Sequence, residues 1–204
     1  MFITFEGPDG SGKSTQIKKT VQQLTDAGWE VVLTREPGGT EISDQIREVI
    51  MSMKNKQMSP RTEILLFCSA RAQLVDELIR PAVAAGQMVI SDRYADSTLA
   101  YQGFGHGFDQ RVLKDLLDFT TGNLWPDLTL LLDIPPEKGL QRRLSNKLEW
   151  NRMDDYQLAF HQRVREGYLS LAKASPERWQ VINADQEADK IQAEIMRILQ
   201  DRLK

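Results

Sequence analysis

A glycine-rich turn between an apolar run and an amphipathic one constrains this chain more than any other feature. Residues 2–5, Phe-Ile-Thr-Phe, pass through Glu6 into Gly7-Pro8-Asp9-Gly10-Ser11-Gly12-Lys13-Ser14, which satisfies Gly-x-x-x-x-Gly-Lys-[Ser/Thr]. Ile17, Val21 and Leu24 then recur at helical spacing until Gly28 supplies a stop. Strand, turn and helix in that order open a βα unit. Glycines admit backbone conformations closed to other residues, so successive amides converge on phosphate oxygens at a positively polarised helix start. Lys13 then reaches the β- and γ-phosphates, and Ser14 carries a hydroxyl suited to Mg²⁺. The candidate ATP-phosphate site is therefore Gly7, Pro8, Asp9, Gly10, Ser11, Gly12, Lys13, Ser14 and Thr15.

The rest of the chain continues the alternation. β-favouring runs stand at residues 30–33, 88–91, 128–132 and 179–182, separated by stretches long enough for helices, which predicts a parallel sheet in an α/β fold. Ile191, Ile195, Ile198 and Leu199 form an apolar stripe like that of the first helix. A longer helix carries Ile64, Leu65, Phe67 and Leu74 towards Pro81, where the missing amide should kink or restart it. Further helices are expected around 111–119, 136–144 and 155–172, with a lid at about 142–155. At 204 residues without a plausible linker, one domain over 1–204 is expected.

Composition narrows the partners and the compartment. The net charge of −3 argues against a broad nucleic-acid or anionic-membrane footprint. No run approaches the roughly 18 apolar residues of a spanning helix, and Glu6 comes too early for a signal peptide. The lone Cys68 cannot form an internal disulfide, so the cytoplasm is the expected compartment.

A phosphate turn alone does not separate GTPases, motor ATPases and small-molecule kinases. Arg35-Glu36-Pro37-Gly38-Gly39-Thr40 follows the second β run and Asp92-Arg93-Tyr94 the third, and strand C-termini in α/β sheets open on the ligand crevice. Asp92 is placed to hold Mg²⁺ through water and Arg93 to fork onto phosphate, although such a pair serves equally as a structural ion pair. Asp133, also at a strand end, reads as structural. His106 and His161 have no partners at metal-ligand spacing, which predicts no zinc site. Glu166 reads as an exposed helix-face carboxylate, and Trp29, Trp125 and Trp179 as core or interface. No Asn-Lys-x-Asp guanine-reading sequence is present.

Taken with Phe67-Cys68-Ser69-Ala70-Arg71 and Ser97-Thr98 to Tyr101-Gln102-Gly103, these motifs resemble, in order and approximate spacing, those of the thymidylate kinases. The resemblance spans nearly the whole chain. It implies a three-layer P-loop kinase fold with a five-stranded parallel sheet, a homodimer, and transfer of the γ-phosphate of ATP-Mg²⁺ to dTMP. By that resemblance Phe67 stacks on thymine, Arg71 hydrogen-bonds the base, Arg93 clamps the dTMP phosphate, and Asp9 lies near the sugar and the metal. Ser97, Thr98, Tyr101 and Gln102 fall beside base and deoxyribose, with Tyr101 crowding the 2′ position, and Arg35 and Pro37 border the acceptor. Phe67 and Arg71, four apart on a helix, would project from one face.

The chain also departs from the family pattern. Some members carry an arginine in the phosphate turn where this chain has Gly10, and those without it have an arginine-rich lid. Here Gln141-Arg142-Arg143-Leu144-Ser145-Asn146-Lys147 is less basic, and Asn151-Arg152-Met153-Asp154 replaces Asp-Arg-x-Glu. Arg152 is the expected lid arginine and catalytic partner of Lys13, Arg93 and Asp9, with Arg142 and Arg143 in reserve.

Overall fold

The apolar runs become five strands in the computed structural model, which describes residues 1–145 and 152–203. They are β1 (Phe2–Glu6), β2 (Val31–Arg35), β3 (Met88–Asp92), β4 (Leu128–Asp133) and β5 (Trp179–Asn183). All pair in parallel in the order β2-β3-β1-β4-β5. The helices between them are α1 (Lys13–Asp26), α2 (Glu41–Met51), α3 (Pro60–Leu74), α4 (Arg80–Ala84), α5 (Ala95–Thr98), α6 (Gln110–Thr121), α7 (Pro136–Ser145) and α8 (Leu158–Ala174), and α9 (Ala188–Arg202) follows β5. Residues 146–151 of the expected lid, Lys147 and Asn151 among them, lie outside the described residues.

Both faces of the sheet are covered, which is why its strands read as nearly continuous apolar runs. Ile3 and Phe5 pack with Ile17 and Leu24 of α1 and with Ile191, Ile195, Ile198 and Leu199 of α9. Phe2 and Val89, on the opposite face, meet Ile64, Cys68 and Leu74 of α3 and Leu113 and Leu117 of α6. β2 runs two residues past the expected 30–33. Its register against β3, with Val31 opposite Met88 and Arg35 opposite Asp92, extends pairing through the polar Thr34 and Arg35. Asp92 also stands opposite Phe5, so Glu6, Arg35 and Asp92 emerge at one edge of the sheet. The direction of winding reverses at β1, and this edge is where ligands of open α/β sheets bind.

The α-helix restarts as expected, with Pro81 in the first turn of α4. Between α3 and α4 the chain widens into a π-helical stretch, Val75–Ile79, and the Arg80 amide donates to the Val75 carbonyl five residues back. The wider turn absorbs the hydrogen bond that a proline cannot make. Trp179 is buried and Trp125 half-buried, whereas Trp29 is exposed and therefore outside the core.

The phosphate turn is also packed from above. A Cβ at Gly10, whose φ is +75°, would run into the main chain of Gly139 in α7, and one at Gly139 would run into the Asp9 carbonyl. The start of α7 thus lies directly on the turn. Gly139→Ala should cost about 1–3 kcal/mol through overpacking, read as a lowered Tm, and should raise the KM for ATP by displacing the turn. A variant that melts with the wild type would contradict this contact.

Candidate active site

The turn after β1 takes positive φ at Gly7, Gly10 and Gly12, and Gly12 leads into α1. Lys13, the first residue of that helix, donates its ammonium to the carbonyls of Gly7 and Pro8 at 3.0 Å each, so the turn encircles it. Burial, with the neighbouring Arg93 charge, lowers its pKa to about 8. Ser14 donates its hydroxyl to Oδ2 of Asp92 at 3.2 Å. Two hard oxygen ligands, from the βα units of the sheet neighbours β1 and β3, thus stand side by side, a donor set suited to Mg²⁺, which completes its shell with phosphates and water. Among the described residues no cluster of three or more His, Cys, Asp or Glu could hold a metal by itself.

Beyond Asp92 lies the most connected group of the site. The two terminal nitrogens of Arg93 donate to Ser97 Oγ (3.2 Å), Tyr168 Oη (3.0 Å), Asp9 Oδ1 (2.8 Å) and Tyr101 Oη (3.1 Å). Tyr101 also donates to Asp9 Oδ2 at 2.7 Å. Burial pushes the Asp9 carboxyl up, but Arg93, Lys13, Tyr101 and Arg143 outweigh it and hold the group well below the usual carboxylate range. Glu6, for which the sequence suggested no role, lies beneath this set and is fully buried. Its Oε1 accepts the Tyr94 amide at 2.8 Å, while Oε2 accepts the hydroxyls of Ser97 (2.6 Å) and Tyr168 (2.8 Å). Those hydroxyls spend their hydrogens on Glu6 and so offer lone pairs to Arg93.

The opposite wall is built on α3 and the π-helical stretch Leu99–Gly105 that prolongs α5. Arg71 is 1% exposed and pairs with Glu36 at 2.6 Å, while also donating to Thr98 Oγ1 and the Tyr94 carbonyl. Its NH1 has no hydrogen-bond partner among the described residues. Phe67, one turn earlier, lines the same cleft, as the spacing requires, and Arg35, Pro37, Ser97, Thr98, Tyr101 and Gln102 line it too. The cleft encloses about 610 Å³ and reaches from Lys13 to Phe67. Arg47, Met51 and Met153 also border it and were missed. Arg47 donates to the Pro37 carbonyl at 2.7 Å, and only the fold brings α2 to that loop.

Arg152 is placed differently from its expected role. It is 4% exposed and does not line the cleft. Its guanidinium pairs with Glu63 at 2.6 Å and donates to the Ile50 carbonyl and Tyr156 Oη. A carboxylate on α3 has captured it, whereas Arg142 and Arg143 on α7 border the cleft. Asp133 accepts a two-pronged bond from Arg165, matching its structural reading. Glu166 is exposed on α8, and His106 packs its ring on Tyr156 and Phe160 beside Glu63.

A phosphate turn, a hydroxyl–carboxylate pair at its mouth and an arginine-lined second compartment at the switch edge of a parallel sheet define a P-loop nucleotide kinase. The comparisons give the family. The thymidylate kinase family model matches residues 5–195. Thymidylate kinases of Nitratidesulfovibrio vulgaris and Herpetosiphon aurantiacus are 46% and 45% identical over the whole of this chain and 97% and 96% of their own lengths. A crystal structure of thymidylate kinase from Ehrlichia chaffeensis superposes with a TM-score of 0.80 at 33% identity, covering 98% of each chain. The chain belongs to the thymidylate kinase family.

Burial, and then the charge of Asp96, raise the Glu6 pKa to about 7. Below that pH the carboxyl gains a proton, which takes away the negative charge facing Arg93 and sends the hydrogen of one hydroxyl either to the other, 2.8 Å away, or towards the guanidinium. The KM for the acceptor should therefore rise as pH falls from 8 to 6. Glu6→Gln, which keeps a permanent donor there, should have a high KM at pH 8 and retain only the acid limb of the substrate phosphate. Equal acceptor KM values for the two proteins across that range would contradict this role for Glu6.

Proposed function

We propose that this protein transfers the γ-phosphoryl group of ATP-Mg²⁺ to dTMP, giving dTDP and ADP in the supply of dTTP. One observation carries the reading: a single cleft joins the phosphate turn to a buried arginine, Arg71, with an unused donor beside Phe67. An orphaned buried donor costs about 1–3 kcal/mol, a cost removed when a ligand oxygen such as that of a thymine carbonyl accepts from it. Phe67 supplies the stacking face, and Thr98 and Glu36 fix the plane of the guanidinium. Tyr101 narrows the sugar site, while Arg35 and Pro37 close its edge.

The acceptor phosphate is already ionised near neutral pH, so transfer needs alignment and charge stabilisation rather than a strong base. Gly7 to Thr15 hold the ATP phosphates, with the Lys13 ammonium on the transferred group. Arg93 stands ready as a fixed cation, and an arriving dTMP phosphate takes over donors that now serve Asp9 and Tyr101. Ser14 and Asp92, with Asp9 nearby, hold Mg²⁺, which when bound neutralises charge on the ATP phosphates. Arg142 and Arg143, rather than Arg152, supply the remaining positive charge from α7. We also propose that the chain works as one domain and as a cytoplasmic homodimer. Leu65 on α3 with Val112 and Phe119 on α6, which are 57%, 64% and 82% exposed, offer an apolar face to a second copy.

A coupled ADP-release assay with dTMP, dUMP, dCMP, dGMP and AMP tests the assignment: dTMP should be the preferred acceptor, and preference for another base would overturn it. Lys13→Ala should nearly abolish transfer without unfolding the protein. Arg143→Ala should lower kcat by about a hundredfold, the scale of one lost donor to developing charge, with little change in Tm. Arg152→Ala should instead cost about 3–5 kcal/mol of stability by leaving Glu63 buried and uncompensated. A full kcat loss at Arg152 with an unchanged melt would restore it as the transfer arginine.

A further inference from the structure

Glu63, the one carboxylate of α3, stands outside the machinery described so far, yet it joins several parts of the cleft wall. It is fully buried. Its Oε1 accepts from Gln102 Nε2 at 2.7 Å and lies 3.5 Å from His106 Nε2. Its Oε2 takes Arg152 NH2 at 2.6 Å and the Tyr156 hydroxyl at 3.1 Å. Burial pushes this carboxyl up, but His106, Arg152 and Gln102 together prevail and hold it at about 2, so it is ionised throughout the working range. An ionised carboxylate only accepts hydrogen bonds. The Gln102 side chain, itself 1% exposed and lining the cleft, must therefore present its NH₂ to Glu63.

We infer that Glu63 is a positioning residue for acceptor-base recognition: it fixes the Gln102 amide with the NH₂ turned away from the ligand and the carbonyl oxygen free to accept from the N3–H of a thymine-type base. The inference rests on the proposed dTMP reading. A freely rotating glutamine offers a donor or an acceptor with equal ease, and half its orientations set NH₂ against an imide N–H. Glu63 removes that ambiguity, and Arg152 keeps Glu63 charged. This explains why an arginine near the expected lid lies buried against α3. Arg71 meets a base carbonyl and Gln102 the adjacent N–H, a donor–acceptor pair that the N3 of cytosine cannot satisfy.

Steady-state kinetics of Glu63→Gln, Gln102→Ala and the double variant test the inference. Glu63→Gln should raise the KM for dTMP about tenfold, the scale of one well-placed hydrogen bond, while the KM for ATP stays within about twofold. Gln102→Ala should do the same, and the double variant should add little, because one residue acts through the other. A lowered Tm with both KM values unchanged, or multiplicative effects in the double variant, would overturn the inference. Should Glu63→Gln fail to fold, Glu63→Gln/Arg152→Gln, which removes both buried charges, must give the same KM split. A probe that spares Glu63 serves independently: N3-methyl-dTMP should be a poor acceptor for the wild type and lose most of that handicap with Gln102→Ala. Equal use of methylated and unmethylated acceptor by the wild type would overturn the inference while leaving the dTMP assignment standing, whereas a wild type that does not phosphorylate dTMP would remove both.

Discussion

Arg93 occupies a position that its own backbone disfavours, and the cleft is arranged around keeping it there. Its φ of +72° lies in the left-handed region, where a non-glycine residue costs of order 1–3 kcal/mol. Its amide is tied to the Phe5 carbonyl at 2.9 Å, and the next amide, that of Tyr94, to Glu6. The turn made there throws the guanidinium back across the end of β1, between the phosphate turn and α5. Asp9, Ser97, Tyr101 and Tyr168 then fix it in orientation as well as place. A cation held this way needs no reorganisation when phosphate arrives, which is how preorganised charge accelerates transfer.

The same device recurs around the cleft. Arg71 is paired with Glu36 and Arg152 with Glu63, both almost wholly out of water, and half-buried Arg178 grips the buried Asp96 with two hydrogen bonds. Such pairs add little net stability, because the cost of desolvating each charge offsets most of their attraction. Their value here is directional. A guanidinium whose plane is fixed on one side by a carboxylate presents a known edge on the other, and an amide facing a carboxylate presents a known atom. The carboxylates at positions 6, 36 and 63 each set the aim of a group that lines the site.

The parts of the site visible in the sequence are those carried by local spacing. The phosphate turn, the α1 stripe and the acid and arginine after β3 are contiguous motifs in contexts that one strand and one helix define. Phe67 and Arg71 were legible as one helix face, and Glu63, four residues before Phe67, continues the same stripe and could have been found by extending it. Glu6 and Glu36 stood inside quoted motifs without roles, because their partners lie 88 to 162 and 35 residues away and only the fold brings them together. Arg152 is the complementary case. An arginine beside a lid looks like a transfer residue until the fold sets a buried carboxylate against it. The departure at Gly10 acquires a packing cause as well, since α7 lies on that turn and leaves no room for a side chain.

Calorimetric titration of dTMP into the wild type and Arg93→Lys tests the central claim most directly. A lysine keeps the charge but cannot span Asp9, Ser97, Tyr101 and Tyr168 in one plane. If the fixed orientation of Arg93 is what prepares the acceptor site, the variant should bind dTMP about thirtyfold more weakly or worse, the scale of hydrogen bonds to a charged group, with ATP affinity unchanged. Wild-type dTMP affinity in Arg93→Lys would contradict it, because charge alone would then be enough.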